Sequence, residues 1–518
     1  MWGVRLITFA ADVSRGNGRT SHALRHSTRR GDRLRGPPGP SRRFAHRDGE
    51  HIRAPVRSGK GIQCPKEVGS HGEAVLMRER PVPEPLKVEP WWQRFGFEVK
   101  ALLRQIAQSP FDPLPRLILA DALEEAGAPT RAEFIRLQVQ HLRDQLLSWE
   151  DDSFLTRRER QLLARHRAEW LQGLPKGLKW QFWGGLAEGV EIEQAEELER
   201  AKRHLDVRRV LWRVNSREHL LTHLALLSGV AALHLSGRRI EAAGVALLVH
   251  SPYVQDLAVL NLWDNRINVS GAATLANSPY LQNLSALHLG NNDLGNYGVQ
   301  ALAESPYLGK LKVLNLHSNR IGPAGALALA QSSQFPQLAT LIVSRNPLGD
   351  AGAEALAQSA NWQNLSVLNL GYAGIGPAGA AALAQSALLQ NLTTLNLQGN
   401  AIGDEGAAAL AASPHLQKLT TLELGGNAIG DEGAAALAAS PYLQKLTTLI
   451  LWNNRLSTEG AKSLAQSPFL QNLATLKLQG NLIGEEGWDA LEKSPHLRRC
   501  RSDFRLQRKR TFSTGDPS

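Results

Sequence analysis

The sequence predicts an α/β horseshoe solenoid, with a parallel sheet on the concave side and helices on the convex side, preceded by a small mostly helical domain. Three observations carry this. A 27-residue unit recurs ten times across residues 230–499 without insertion or deletion. One leucine returns in every unit, at 233, 260, 287, 314, 341, 368, 395, 422, 449 and 476. Upstream, residues 91–190 show helical spacing with cap residues between the segments. A strand–helix unit this short cannot bury its apolar faces alone, whereas stacked copies build one continuous core.

The elements follow in chain order. Residues 1–76 are rich in Arg, Gly, Ser and Pro and lack periodicity, which predicts a disordered basic extension over residues 1–90. Met1 and Met77 are the two methionines, and ordered-looking sequence starts soon after Met77, the pattern left by a start codon assigned too far upstream. Residues 97–108 read as a helix stopped at Pro110. Asp112 reads as an N-cap with Pro113 in the first turn, and that helix runs to Gly127. Thr130 and Glu133 read as a capping box, followed by an apolar stripe of Ile135, Val139, Leu142 and Leu146. A charged helix over 157–171 and the turn-and-strand segment WQFWGGLAEGVEIE complete the region.

The segment PRLILADALEEAGAPTRAEFIRLQ, with its Trp/Phe–GG–AEGVEI close, resembles the repeat-companion domain found mainly in planctomycete bacteria, over about 95 residues. The resemblance implies a domain that precedes repeats, and it carries no chemistry. Residues 191–229 then read as irregular capping units, with GVEIE and VRRVLWRVN as strands that close the core on this side.

Within each repeat, LxxLxL alternates apolar and variable residues and predicts a short strand. As the strand ends, Asn265, Asn292, Asn319, Asn346, Asn400, Asn427, Asn454 and Asn481 supply an amide that both donates and accepts, which predicts a ladder serving the turning backbone. In repeat six Ala373 takes that place. Gly403, Asn268 and Ser457 fall at the helix N-cap, the GAAALAAS stretch is the helix, and a recurring glycine such as Gly406 should let it lie close on the strand layer. The Ser from Ser251 to Ser494, followed by Pro in seven of ten units, ends the helix. All 270 residues of the array resemble the ribonuclease-inhibitor class of leucine-rich repeat. Residues 488–499 should be the last helix and 500–518 a basic tail.

Charge points to the ends of the chain. The net charge is +11, of which residues 1–76 hold +9, residues 498–510 hold +6 and residues 511–518 hold −1, leaving −3 for residues 77–497. A fold that grips phosphates would carry its basicity on its own surface, so nucleic acid is not expected on the folded body and weak contacts are left to the basic ends. There is no apolar run long enough for a membrane helix, and the N-terminus does not read as a signal peptide. Cys64 and Cys500 cannot build a disulfide framework or a four-ligand zinc site, so the expected setting is reducing and cytoplasmic, without metal or cofactor.

Catalytic motifs are missing. The GKG at 59–61 lacks the strand, the spacing and the Ser/Thr of a phosphate loop. The pairs Asp404/Glu405, Asp431/Glu432 and Glu485/Glu486 sit at one repeat position in the first helical turn, where negative charge suits the helix dipole. Asp121, Glu124 and Glu125 share a solvated helix face, and the sequons at Asn283 and Asn391 fall in the repeat linker. The sequence therefore predicts a non-catalytic scaffold that binds a protein partner on the concave sheet. Its candidate contacts are Trp263, His288, His317, Arg345, Tyr372 and Trp452, spread over a ribbon roughly 45–50 Å long. Two alternatives stand beside it: a Ran-type GTPase activator, whose acidic C-terminal tail is missing here, and a GALA-like effector, whose F-box is replaced by the companion-like segment.

Overall fold

Period-two leucines and period-27 punctuation together dictate the backbone. Each unit places a three-residue strand, β4 (Ala232–His234), β5 (Val259–Asn261), β6 (Ala286–His288), β7 (Val313–Asn315), β8 (Thr340–Ile342), β9 (Val367–Asn369), β10 (Thr394–Asn396), β11 (Thr421–Glu423), β12 (Thr448–Ile450) and β13 (Thr475–Lys477), next to its successor in parallel register. Leu233, Leu235 and their equivalents are fully buried between this sheet and the helices. The computed structural model describes residues 97–108, 112–140, 155–213, 217–500, 504, 507 and 508, all within one compact unit, Val82–Ser518. The basic extension, Cys64, Leu142, Leu146 and the chain beyond residue 508 lie outside the described residues.

The sheet has 13 strands in sequence order. Ahead of the repeats stand β1 (Lys179–Trp183), β2 (Leu186–Ile192) and β3 (Arg209–Trp212). β1 and β2 form an antiparallel hairpin, and every later neighbour is parallel. The strands expected from GVEIE and VRRVLWRVN are β2 and β3. The preceding helices are α1 (Phe97–Gln108), α2 (Pro113–Glu125) and α3 (Pro129–Gln140), then Arg157–Trp170. Asp112 caps α2 by accepting from the Leu114 N–H at 3.0 Å.

The capping box expected at Thr130 and Glu133 is not formed, because α3 already begins at Pro129 and Thr130 lies inside it. Glu133 instead binds Arg158 at 2.7 Å, and the capping box belongs to Thr156 and Glu159 at the next helix. Two buried arginines tie this domain together. Arg116 on α2 donates to the Trp183 and Gly184 carbonyls at 3.1 Å and pairs with Glu188 at 2.9 Å. Arg131 on α3 lies 4.6 Å from the Trp170 ring centre, and burial pulls its pKa down to about 9 while Glu169 raises it. At the hairpin turn Gly185 has φ +87°, and a Cβ there would lie 2.6 Å from the Ile135 Cα, so only glycine fits.

Three sets of side-chain bonds run between neighbouring repeats. All eight asparagines are in place: Asn265 Oδ1 accepts the Arg238 and Ile240 N–H groups at 2.9 and 3.2 Å, while its Nδ2 donates to the Leu235 carbonyl at 2.8 Å. The recurring serine does more than end a helix. Ser278 and its equivalents through Ser494 are buried, and each hydroxyl donates to a carbonyl of the preceding helix, as from Ser440 to Ala411 at 2.5 Å. The third ladder runs forward. Asp404 accepts the Gly430 and Gly433 N–H groups at 2.7 and 2.8 Å, and Asp431 accepts from Ser457 and Gly460, so these carboxylates cap the following helix rather than only their own. The recurring glycine serves helix–helix rather than helix–sheet approach: Ala380 lies opposite Gly406 and Ala407 opposite Gly433.

At Ala373 the asparagine ladder is open. The Leu348 N–H, which an amide there would receive, turns to the Asn346 carbonyl of its own loop at 2.8 Å. Asn346 keeps its own side-chain bonds but receives no side-chain acceptor from repeat six. At the far end, where a tail was expected from residue 500, Cys500, Phe504 and Gln507 are buried against repeat ten. Gln507 Oε1 accepts the Leu478 N–H and its Nε2 donates to the Leu476 carbonyl, both at 2.9 Å, so one side-chain amide replaces a missing strand.

Candidate functional site

Between the inward leucines, each strand turns two side chains out onto the sheet face, and a third follows the second leucine. In repeats one to four the first row is Ala232, Val259, Ala286 and Val313, which forms one apolar cluster with Trp183 from the hairpin turn. The Arg116 bonds to the Trp183 and Gly184 carbonyls fix that turn. The second row, His234, Asn261 and His288, is 2%, 0% and 0% exposed. His288, expected as a partner contact, is therefore no contact: the chain covers this part of its own sheet. His234 accepts from Arg209 Nε at 3.2 Å, and burial, then Arg209, then His288 hold its pKa well below the usual imidazole value.

The third row explains how large rings fit on a flat ribbon. Trp263 and His317 stack with centroids 5.0 Å apart across the intervening repeat, and Gly290 between them leaves the room, since a Cβ there would collide with the indole. His317 Nδ1 lies 2.8 Å from Ser344 Oγ, and burial, then Arg345, lowers its pKa. Trp452 lies in the same way over Gly425. Both tryptophans are half-buried along the ribbon instead of standing free.

From repeat five onward the face is open, and Ile342, Asn369, Asn396, Glu423, Ile450 and Lys477 are all partly exposed. Asn396 donates to Glu423 at 2.5 Å, and burial, the larger influence, raises the Glu423 pKa against that bond. At its edge Arg345 stacks on the Tyr372 ring at 4.5 Å, the ring lies against Gly399, and Gln398 donates to the Tyr372 hydroxyl at 2.9 Å. The loop position they occupy has positive φ in all ten repeats: Gly237, Gly399, Gly426 and Gly480 hold it, as do Asp264, Asn291, Ser318 and Asn453. Arg345 and Tyr372 hold it at φ 54° and 55°, a conformation that costs a bulky residue about 1 kcal/mol or more.

Of the six predicted contacts, the structure brings Arg345 and Tyr372 together in repeats five and six and Trp263 and His317 together across repeats two to four, sets Trp452 apart in repeat nine, and removes His288. Sequence reasoning missed Trp183, Gln398 and the glycines beneath the rings. A signal existed for the glycines, because the third row alternates ring and glycine at Trp263–Gly290–His317 and Gly425–Trp452. Among the described residues no three His, Cys, Asp or Glu side chains are grouped to hold a metal ion, and no helix is long and apolar enough to cross a membrane. The acidic trio is a salt-bridge site in part, since Asp121 and Glu124 both pair with Arg136.

The leucine-rich repeat family model matches seven segments, residues 280–303, 310–330, 338–357, 363–384, 389–411, 415–438 and 442–465, so the array consists of leucine-rich repeats. Among solved structures, an internalin (inlF) from Listeria monocytogenes is similar at 24% identity, over 54% of this chain and 81% of that one, with a TM-score of 0.33. No curated protein matches the chain.

Proposed function

We propose that this chain is a non-catalytic protein-interaction scaffold of the ribonuclease-inhibitor class, in which a companion-type domain covers repeats one to four and the sheet face of repeats five to ten receives the partner. One observation carries the reading: the sheet face is partly exposed from repeat five onward, and Arg345 and Tyr372 present a stacked pair at its edge. The left-handed turn belongs to every repeat, so what sets these two positions apart is the large side chains they carry on the open edge. The mechanism is passive. Asn369 and Asn396 each accept the N–H two residues along their own chain, at 3.0 and 2.9 Å, so the face is ordered before binding and loses little entropy on it. A cytoplasmic, reducing setting suits Cys500, whose thiol is buried and donates to the Leu473 carbonyl.

The test is affinity capture from the native cell with the full chain, its Tyr372→Ala and Trp452→Ala variants, and Glu405→Ala on a helix. The same captured protein should be lost from both sheet variants and kept by the helix variant, with melting temperatures within a few degrees. Retention by both sheet variants would overturn the reading.

A further inference from the structure

The two faces of repeats five to ten carry opposite charge. Of the Asp and Glu residues in 338–499, Glu423 alone is on the sheet, and all the others, such as Asp404, Glu432 and Glu486, lie on helices. Two cations, Lys462 and Lys493, share those helices and pair with their carboxylates, and the others lie elsewhere. Lys477 is on β13, Lys418 and Lys445 sit three residues ahead of β11 and β12, and Arg345 and Arg455 follow β8 and β12. Five positive charges thus frame the sheet along both strand ends against one carboxylate. Glu423 is half-buried, bonded to Asn396, and held above its ordinary pKa by burial, so it opposes them weakly. Two of these cations face neutral groups: Lys418 donates to the Asn391 amide oxygen at 2.6 Å and Arg345 rests on the Tyr372 ring.

From this segregation we infer that the partner presents an acidic polypeptide segment to the sheet face of repeats five to ten, with an apolar side chain seated against Trp452 and the Arg345–Tyr372 pair. The inference rests on the scaffold reading and adds the chemistry of the partner. Complementary potential steers such a segment to the sheet, while the acidic helices turn it away from the convex side. The slightly acidic folded body makes this face a local basic region, so the preference comes from arrangement and not from net charge. The aromatic surface adds contact area that a purely electrostatic patch lacks.

The probes are three fluorescein-labelled peptides alternating Phe with Glu, with Gln or with Lys, and a single-stranded oligonucleotide, each titrated into the full chain by anisotropy at rising salt. The Glu peptide should bind about tenfold more tightly than the Gln peptide at low salt, and the gap should close as the Debye length falls. Arg345→Glu with Lys477→Glu should abolish the preference, Glu432→Lys on the helix should leave it, and Trp452→Ala should weaken the Glu and Gln peptides alike. If all three peptides bind equally through Trp452, the acidic partner is overturned and the scaffold stands. If none binds, the sheet face as a docking surface falls with it. An oligonucleotide that binds more tightly than the Glu peptide also overturns the proposal.

Discussion

Repeats one to four and repeats five to ten share one backbone, one register and the asparagine and serine ladders, yet their sheet faces differ. Ala286 and His288 are 0% exposed, while the equivalents five repeats on, Thr421 and Glu423, are partly open. The period specifies where each side chain points, and Trp183 of the β1–β2 turn packs on the face of the first four repeats and not on the later ones. Which part of a solenoid's sheet is exposed is therefore a property of what precedes the repeats as much as of the repeats themselves.

The largest effect should come from Trp183→Ala. Removing a fully buried indole from the cluster with Ala232, Val259, Ala286 and Val313 costs about 3–5 kcal/mol. Hydrogen exchange should rise across β4–β7 and stay unchanged across β10–β13. Equal protection loss in both halves would erase the distinction between them.

Ala373→Asn should act inside the second half, between repeats five and six, and in the opposite direction. An asparagine there can receive the Asn346 N–H, so it should stabilise by about 1 kcal/mol in urea unfolding and slow exchange around β8 and β9. A neutral outcome would mean that the Leu348 turn back to the Asn346 carbonyl already suffices.

Titration should give the smallest signals, of opposite sign in the two halves. His234 and His317 have folded pKa values below the ordinary 6.5, so the unfolded chain binds more protons; their contribution is complete above about pH 6.5 and is lost as pH falls below it. Glu423 has its folded pKa raised, so its contribution is present in acid and is lost as pH rises through that value. Acidification toward pH 5 should therefore speed exchange in repeats one to four while repeat eight holds or gains protection. His234→Gln should flatten the first response.

Much of this was legible in the chain. Leu233 and its nine equivalents, the eight asparagines and the helix stops gave strand, loop and helix in every unit, because each answers to neighbours at a fixed spacing. The covered half was not legible. Trp183 meets Val313 only after 130 residues of intervening chain fold, and no local pattern records that meeting. Thr130–Glu133 failed for a related reason, since the Pro129 start and the Arg158 partner outweighed the cap spacing. Ser278 and Asp404 were visible as recurring residues, but a role in one's own helix and a bond to a neighbouring one leave the same mark in a sequence.

The amide of Gln507 has a consequence for length. Every interior repeat leaves open groups on one side and brings the groups that close its neighbour on the other, like monomers that add head to tail. Such a chain needs an initiator, here the β1–β2 hairpin, and a terminator, here Gln507 on β13. A copy inserted between them arrives with matching ends, and the identical stretches at residues 399–414 and 426–441 are what such an insertion would leave. The array can thus be lengthened or shortened by whole units at its middle without a new interface, whereas its two ends are each made once.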